Sequence, residues 1–110
     1  MTKKVELLYE KCPVETAIDI LAGKWKILIL WYLRAETKRF SELQRLLPRT
    51  TQKMLVQKLR ELEEDGIVHR KVYPVVPPKV EYSLTAYGQT LKPIIKSLYL
   101  WGEKHKELHP

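Results

Sequence analysis

Two amphipathic segments in immediate succession constrain this chain more than any other feature. The first, RFSELQRLLP, is short and stops at Pro48; the second, TTQKMLVQKLRELEEDG, runs from Thr50 to Gly66. In the first, Ser41 and Gln44 have the spacing of a capping box, and Leu43, Leu46 and Leu47 turn inward. In the second, Thr50 or Thr51 supplies the helix cap and Gly66 takes the usual C-terminal position, where a left-handed residue is needed. Short helix, tight turn, longer helix is the order of a helix-turn-helix.

The longer helix separates its charges. With Leu55 taken as the inward direction and a turn of about 100° per residue, Leu59 and Leu62 stay inward, while Thr50, Lys53, Gln57, Arg60 and Glu64 point outward. From Lys38 to Arg60 there are seven basic residues and one acid, Glu42, and the next five residues carry four acids, Glu61, Glu63, Glu64 and Asp65. A helix that enters a DNA groove places its N-terminal half at the base edges, and the positive end of its dipole suits phosphates. Gln52 and Gln57 have the paired donor and acceptor that match adenine, Lys53 can reach guanine or a phosphate, and the Thr51 methyl or Met54 can touch a thymine methyl. The same residues are also ordinary members of a solvated helix face, so the surrounding chain has to decide.

That surrounding is basic. The 110 residues hold 20 Lys and Arg against 13 Asp and Glu, a net charge of +7, which favours an anionic partner: nucleic acid first, then an acidic protein or a membrane surface. The length suits one domain with one core, 1–110. The longest apolar run, WKILILWYL from Trp25 to Leu33, is interrupted by Lys26 and is shorter than the roughly 20 residues a bilayer crossing requires, so it reads as a buried helix and no membrane partner is expected. The first residues, MTKKVELLYEKCP, lack the apolar stretch and cleavage site of a signal peptide. One cysteine cannot form an internal disulfide, which agrees with a reducing cytoplasm.

The remaining elements follow from spacing. Val14, Ala17, Ile18 and Leu21 recur at helical intervals after Pro13, and Gly23 closes that helix before the apolar one begins. After a polar AETK turn and the helix-turn-helix come IVHRKVY and KVEYSL, two strands joined by PVVPP, which cannot lie in a central strand. They form a hairpin with a stiff tip that carries Arg70, Lys71 and Lys79. From Thr85 onward Tyr87, Leu91, Ile94, Leu98 and Trp101 form one stripe of a last helix, which Pro93 kinks or restarts. Ile95, Tyr99 and Leu100 lie off that stripe and make a second apolar face of the kind that meets a partner. The fold class is α+β and mostly helical: a winged helix-turn-helix.

No catalytic constellation is present, and neither a cofactor nor a metal is expected. His105 and His109 are spaced as two metal ligands can be, but sit in a polar tail that is more simply a solvated end. Trp25, Trp31 and Trp101 fall at helical spacing and belong to the core or a dimer contact. A sequence-specific dimeric regulator, a nonspecific nucleoid or RNA binder, and a winged helix used for protein contacts are all compatible with the pattern; the +6 balance of the 38–60 segment counts against the last.

Three runs, CPVETAIDILAGKWKILIL, RFSELQRLLP and TQKMLVQKLRELEEDGIVHRKVYPVVPPKVEYSLTAYG, resemble the HxlR-type transcriptional regulators, a MarR-related family. The likeness covers about Cys12 to Gly102, and GKWK and VPPKVEYSLT are its most specific parts. It implies a homodimer on double-stranded DNA, with the helix-turn-helix at about 41–65, the wing at about 68–84, and dimerisation helices at about 13–21 and 86–106. Arg49, Thr50, Thr51, Gln52, Lys53 and Gln57 occupy the recognition region; Arg39, Arg70, Lys71 and Lys79 are the flanking basic contacts; Leu98, Tyr99 and Trp101 fall to the dimer interface. AETK and RTT depart from the family by lacking glycine. Some members are redox sensors with a cysteine before a PVE run, the place Cys12 holds here. Lys11 and the start of a helix beside it favour a reactive thiol, whereas a small residue packing the interface is the plainer role. A redox or small-molecule effector is therefore compatible with the likeness.

Overall fold

The computed structural model describes residues 12–110. Helix α1 spans Pro13–Leu21 and α2 spans Lys24–Leu33. Between them Gly23 adopts φ 82°, a left-handed conformation that reverses the chain without a Cβ penalty. A short strand β1, Lys38–Arg39, precedes α3, Phe40–Leu46, and the longer α4 runs Gln52–Glu64. Strands β2, Val68–Tyr73, and β3, Lys79–Leu84, follow; a 3₁₀ turn, Gly88–Leu91, then leads into α5, Lys92–Leu108.

The core is built where three helices meet the sheet. Ile29 and Leu30 of α2, Leu43 of α3 and Leu55, Leu59 and Leu62 of α4 are fully buried, joined by Ile67, Val68 and Tyr82. Removing each such leucine from water is worth roughly 1.5–3 kcal/mol, so the α4 leucine stripe anchors the helix and leaves its other face free. Helix α2 is central, as the apolar run requires. Leucine spacing on α4 and the cap and glycine at its ends are likewise as the sequence indicates: Thr51 Oγ1 accepts the Met54 N–H at 3.0 Å. At the far end Gly66 has φ 73°, the Ile67 N–H donates to Leu62 O at 2.9 Å and the Gly66 N–H donates to Glu63 O at 3.0 Å. This is the Schellman pattern that ends a helix on glycine.

Several expectations are corrected. The cap of α3 is not the Ser41/Gln44 pair: the helix starts at Phe40, and Glu42 takes the Arg39 N–H at 2.9 Å. Lys38, assigned to the AETK turn, pairs with β3 instead, so the sheet has three strands in the order β1-β3-β2 rather than two. In the C-terminal segment Leu91 of the expected stripe packs on the core and Tyr99 and Leu100 off it are exposed, but one position is exchanged. Ile95, expected off the inward stripe, is the buried residue at 2% exposure, whereas Tyr87, Ile94, Leu98 and Trp101 are open to solvent. Of the two roles expected for Pro93, the restart is the one observed: the 3₁₀ turn ends at Leu91 and Pro93 lies in the first turn of α5, where no N–H is required.

One charged side chain lies inside. Lys26, 5% exposed in the middle of the apolar run, donates to Ile20 O at 3.2 Å and pairs with Glu61 at 3.2 Å. It therefore ties the end of α1 to the last turns of α4, and Lys58 joins Glu61 at 3.6 Å. The hydrogen bond from Lys26 is the largest influence on Glu61; with the charges of Lys26 and Lys58 it holds that carboxyl below the ordinary carboxylate value, against partial burial. Removal of the two partners is expected to be unequal. Glu61→Gln leaves a buried ammonium facing a neutral amide and should cost about 2 kcal/mol at neutral pH, less than for a fully buried pair because Glu61 remains a third exposed. Lys26→Met removes the buried charge and should cost less than about 1 kcal/mol. Because the folded-state value of Glu61 is depressed, its contribution is present above the unfolded value and is lost as pH falls through the folded one, so the Glu61→Gln deficit should shrink in acid. Urea denaturation of the wild type and both variants at several pH values measures this.

Candidate DNA-binding surface

The exposed face of α4 gathers Thr51, Gln52, Lys53, Val56, Gln57 and Arg60 around one shallow depression. A second groove runs beside it, between α4 and the sheet, and there Gln52, Val56 and Arg60 meet Arg70, Phe40 and Tyr82. Strand register explains why Arg70 belongs to this groove. Directly opposed residues share a sheet face, and Arg70 is opposite Tyr82, which packs inward.

The other wing cations lie on the opposite face. Lys71 is opposite Glu81, Arg39 is opposite the same Glu81 from the other side, and Tyr73 is opposite Lys79. Lys71 and Lys79 both approach the Tyr73 ring, at 4.8 and 4.6 Å from its centroid, and Lys79 pairs with Glu81 at 3.6 Å. A hydrogen bond from Tyr73, then the nearby Lys79 and Arg39, hold the Glu81 carboxyl below its ordinary value. The sequence places Arg70, Lys71 and Lys79 together on a hairpin; the pleat divides them, with Arg70 beside α4 and the other two on the outer surface. The tip is exposed, and Val76 is almost wholly in solvent.

Within the helix-turn-helix, Arg49, Gln52, Lys53 and Gln57 are exposed and Thr51 is both exposed and the helix cap. Met54 is half-buried. Thr50 is the exception: counted with the outward side chains, it is 8% exposed, held in the turn by a hydrogen bond from its N–H to Leu47 O at 3.1 Å. It lies one residue before the cap Thr51, where helical angles no longer apply. Val56 and Arg60 join the surface without having been assigned to it; the helical wheel already turned Arg60 outward, but the groove partner Arg70 is visible only once the sheet is placed. The acidic end of α4 is explained in part by Glu61, which serves Lys26 and Lys58 rather than solvent. With Lys38 paired to Glu36 and Lys58 to Glu61, the exposed cations of the segment are Arg39, Arg45, Arg49, Lys53 and Arg60.

Cys12 is exposed at the N-terminal boundary of α1, where its carbonyl accepts the Thr16 N–H at 3.1 Å. Its neighbour Lys11 lies outside the described residues. Leu98, Tyr99 and Trp101 are exposed on α5, with Tyr99 stacked on Trp31 at 4.5 Å. His105 stacks on Trp101 at 5.2 Å, and the His109 ring lies tilted against His105 at 4.5 Å. Among the described residues, no helix is long and apolar enough to cross a membrane.

A helix-turn-helix whose second helix shows an amide-rich and basic face, beside a two-stranded wing, defines a winged-helix DNA-binding protein. The chain belongs to the HxlR-like helix-turn-helix family, whose model matches residues 20–110. The HTH-type transcriptional regulator YdeP of Bacillus subtilis is 56% identical over 99 residues, covering 90% of this chain and 77% of that protein. The redox regulator HypR in its oxidised form is 54% identical with a TM-score of 0.82, over 84% of this chain and 96% of HypR. The reduced form of the transcriptional regulator YodB from B. subtilis is 38% identical with a TM-score of 0.73, over 86% and 93% of the two chains.

Proposed function

We propose that this protein is a homodimeric cytoplasmic transcription regulator that binds an inverted-repeat site on duplex DNA, with α4 in the major groove and the wing along the backbone. The observation that carries this reading is the α4 face itself: Gln52, Lys53, Gln57 and Arg60 exposed together, on a helix fixed from behind by three fully buried leucines. The amides offer the two-point pairing that distinguishes adenine, and the cations neutralise phosphates. Its relatives are named as HTH-type regulators, which supports the same reading.

The two kinds of contact separate by experiment. Gln52→Ala and Gln57→Ala are expected to relax base preference, each reducing discrimination by about 1–3 kcal/mol. Arg70→Ala and Lys79→Ala are expected to weaken cognate and random duplex alike, and to shallow the salt dependence by about one unit for each lost phosphate contact. Fluorescence anisotropy over a salt series measures both effects. Equal losses on cognate and random DNA from both sets would contradict the division and favour a nonspecific binder.

We also propose that Cys12 makes the regulator responsive to thiol oxidants or electrophiles. It is exposed, it stands where α1 begins, and the similar chains include proteins named as redox regulators. With one cysteine per chain, the products open to it are a disulfide between subunits, a mixed disulfide with a small thiol, or an electrophile adduct. Diamide should change operator affinity in the wild type and leave Cys12→Ser unaffected. Full affinity in a wild type whose thiol has been modified would reject the switch.

A further inference from the structure

The outer face of α4 is not uniformly polar. Of the apolar side chains on this helix, Leu55, Leu59 and Leu62 are fully buried and Met54 is half-buried, whereas Val56 is 38% exposed. Val56 lies four residues after Gln52 and four before Arg60. These three are the side chains common to the shallow depression on α4 and to the groove between α4 and the sheet. Spacing of four sets them in a row along the helix, about 6 Å apart at roughly 1.5 Å of rise per residue. They form the crest between the two hollows, in the order amide, valine, cation, with the valine at its middle.

Folding alone does not account for a valine there. It stands outside the core, and a branched Cβ gives up rotamer freedom in a helix, so alanine or glutamine would hold α4 better. Its side chain has neither donor nor acceptor. Pressed against a base edge, it strips water from any polar group that it covers and returns no hydrogen bond. The apolar group that the major groove of unmodified DNA presents is the C5-methyl of thymine. We propose that Val56 is a specificity-determining residue that packs on a thymine methyl, selecting thymine at one position of each half-site and disfavouring the other bases there. Of the two side chains that the sequence offers for such a contact, Met54 is half-buried and Thr51 stands at the helix cap, with its Oγ1 holding the Met54 N–H. Val56 is the apolar side chain at the centre of the exposed face. The proposal rests on α4 lying in the major groove, and adds which base the middle of the crest reads.

The test starts from duplexes that the intact wild-type protein selects out of a random pool. In the most enriched sequence, each thymine of one half-site is replaced in turn by deoxyuridine, which removes the C5-methyl and keeps the base pair. One replacement should weaken wild-type binding about fourfold, the effect of returning one buried methyl to water. Val56→Ala should bind the parent duplex about fourfold more weakly and be indifferent to that same replacement. Gln57→Ala is the control and should still lose about fourfold at that position. The melting temperature of Val56→Ala should be unchanged, because the side chain lies outside the core and alanine is the stronger helix former. A deoxyuridine loss that persists in Val56→Ala would assign the methyl to another side chain and overturn the proposal. So would a wild type indifferent to every replacement in an enriched sequence, and either result leaves the operator reading standing. A pool that yields no enriched sequence would overturn the operator reading and this proposal together.

Discussion

Gly88→Ala should destabilise the fold by about 2–3 kcal/mol, the upper part of the roughly 1–3 kcal/mol that forcing an extra methyl into a tightly filled site costs. A Cβ at Gly88 would stand 2.1 Å from the carbonyl oxygen of Ile67 and 3.1 Å from its carbonyl carbon. Neither backbone atom is free to move aside. Ile67 O accepts the Thr85 N–H at 3.0 Å, the Thr85 hydroxyl donates to Gly66 O at 2.6 Å with Ile67 O at 3.1 Å, and Thr85 Oγ1 in turn accepts the Gly88 N–H at 2.9 Å. Ile67 directly follows the glycine that ends α4, so this small network fastens the start of the 3₁₀ turn to the C-terminal end of α4. Thermal and urea denaturation measure the effect. Gly102→Ala is the control: its Cβ meets nothing within 4 Å, and in a helix it should be neutral or stabilising by up to about 1 kcal/mol. A Gly88→Ala variant as stable as the wild type would mean that the close approach to Ile67 is not a real constraint.

The second large effect concerns assembly. Ile94, Leu98, Leu100 and Trp101 of α5 and Val14 and Ile18 of α1 are large apolar side chains left in solvent by a single chain, with Trp101 69% exposed. A surface of that kind ordinarily meets a partner, and two-fold symmetry makes a second copy the partner an inverted-repeat site requires. Leu98→Glu combined with Trp101→Glu should yield a folded monomer, because neither side chain contributes to the core. Operator affinity should then fall by about 100-fold or more, since joining two half-site contacts in one molecule commonly raises affinity by factors of roughly 10²–10⁴. Sedimentation and anisotropy on the same samples read both quantities. A persistent dimer, or a monomer with unchanged operator affinity, would place the interface elsewhere.

Helix α4 was legible in the sequence because everything that defines it is local: a threonine cap, leucines at three and four, a glycine at the end. The wing was legible for the same reason, from β-branched strands around a proline-rich tip. What escaped depends on residues that meet only in the fold. Lys26 reads as an interruption in an apolar run until Glu61, on another helix, arrives beside it. Gly88 looks like a stray glycine until Ile67 approaches. Lys38 and Arg39 make a strand because β3 offers an edge to them, and their own residue types carry no such signal. In the C-terminal segment spacing alone does not choose which apolar side chains the core takes; Ile95 joins it beside Leu91, and Ile94, Leu98 and Trp101 are left outside. Thr50 fell to a simpler error of extending helical angles one residue past the cap.

The central claim is that α4 reads sequence as part of a two-fold assembly. Hydroxyl-radical footprinting of the intact protein on the DNA flanking its own gene tests this most directly. The account predicts two protected patches on one side of the duplex, related by an inverted repeat with half-site centres about 34–36 Å apart, and lost together as salt is raised. Uniform protection of the fragment, at the same protein concentration that covers unrelated DNA, would contradict it.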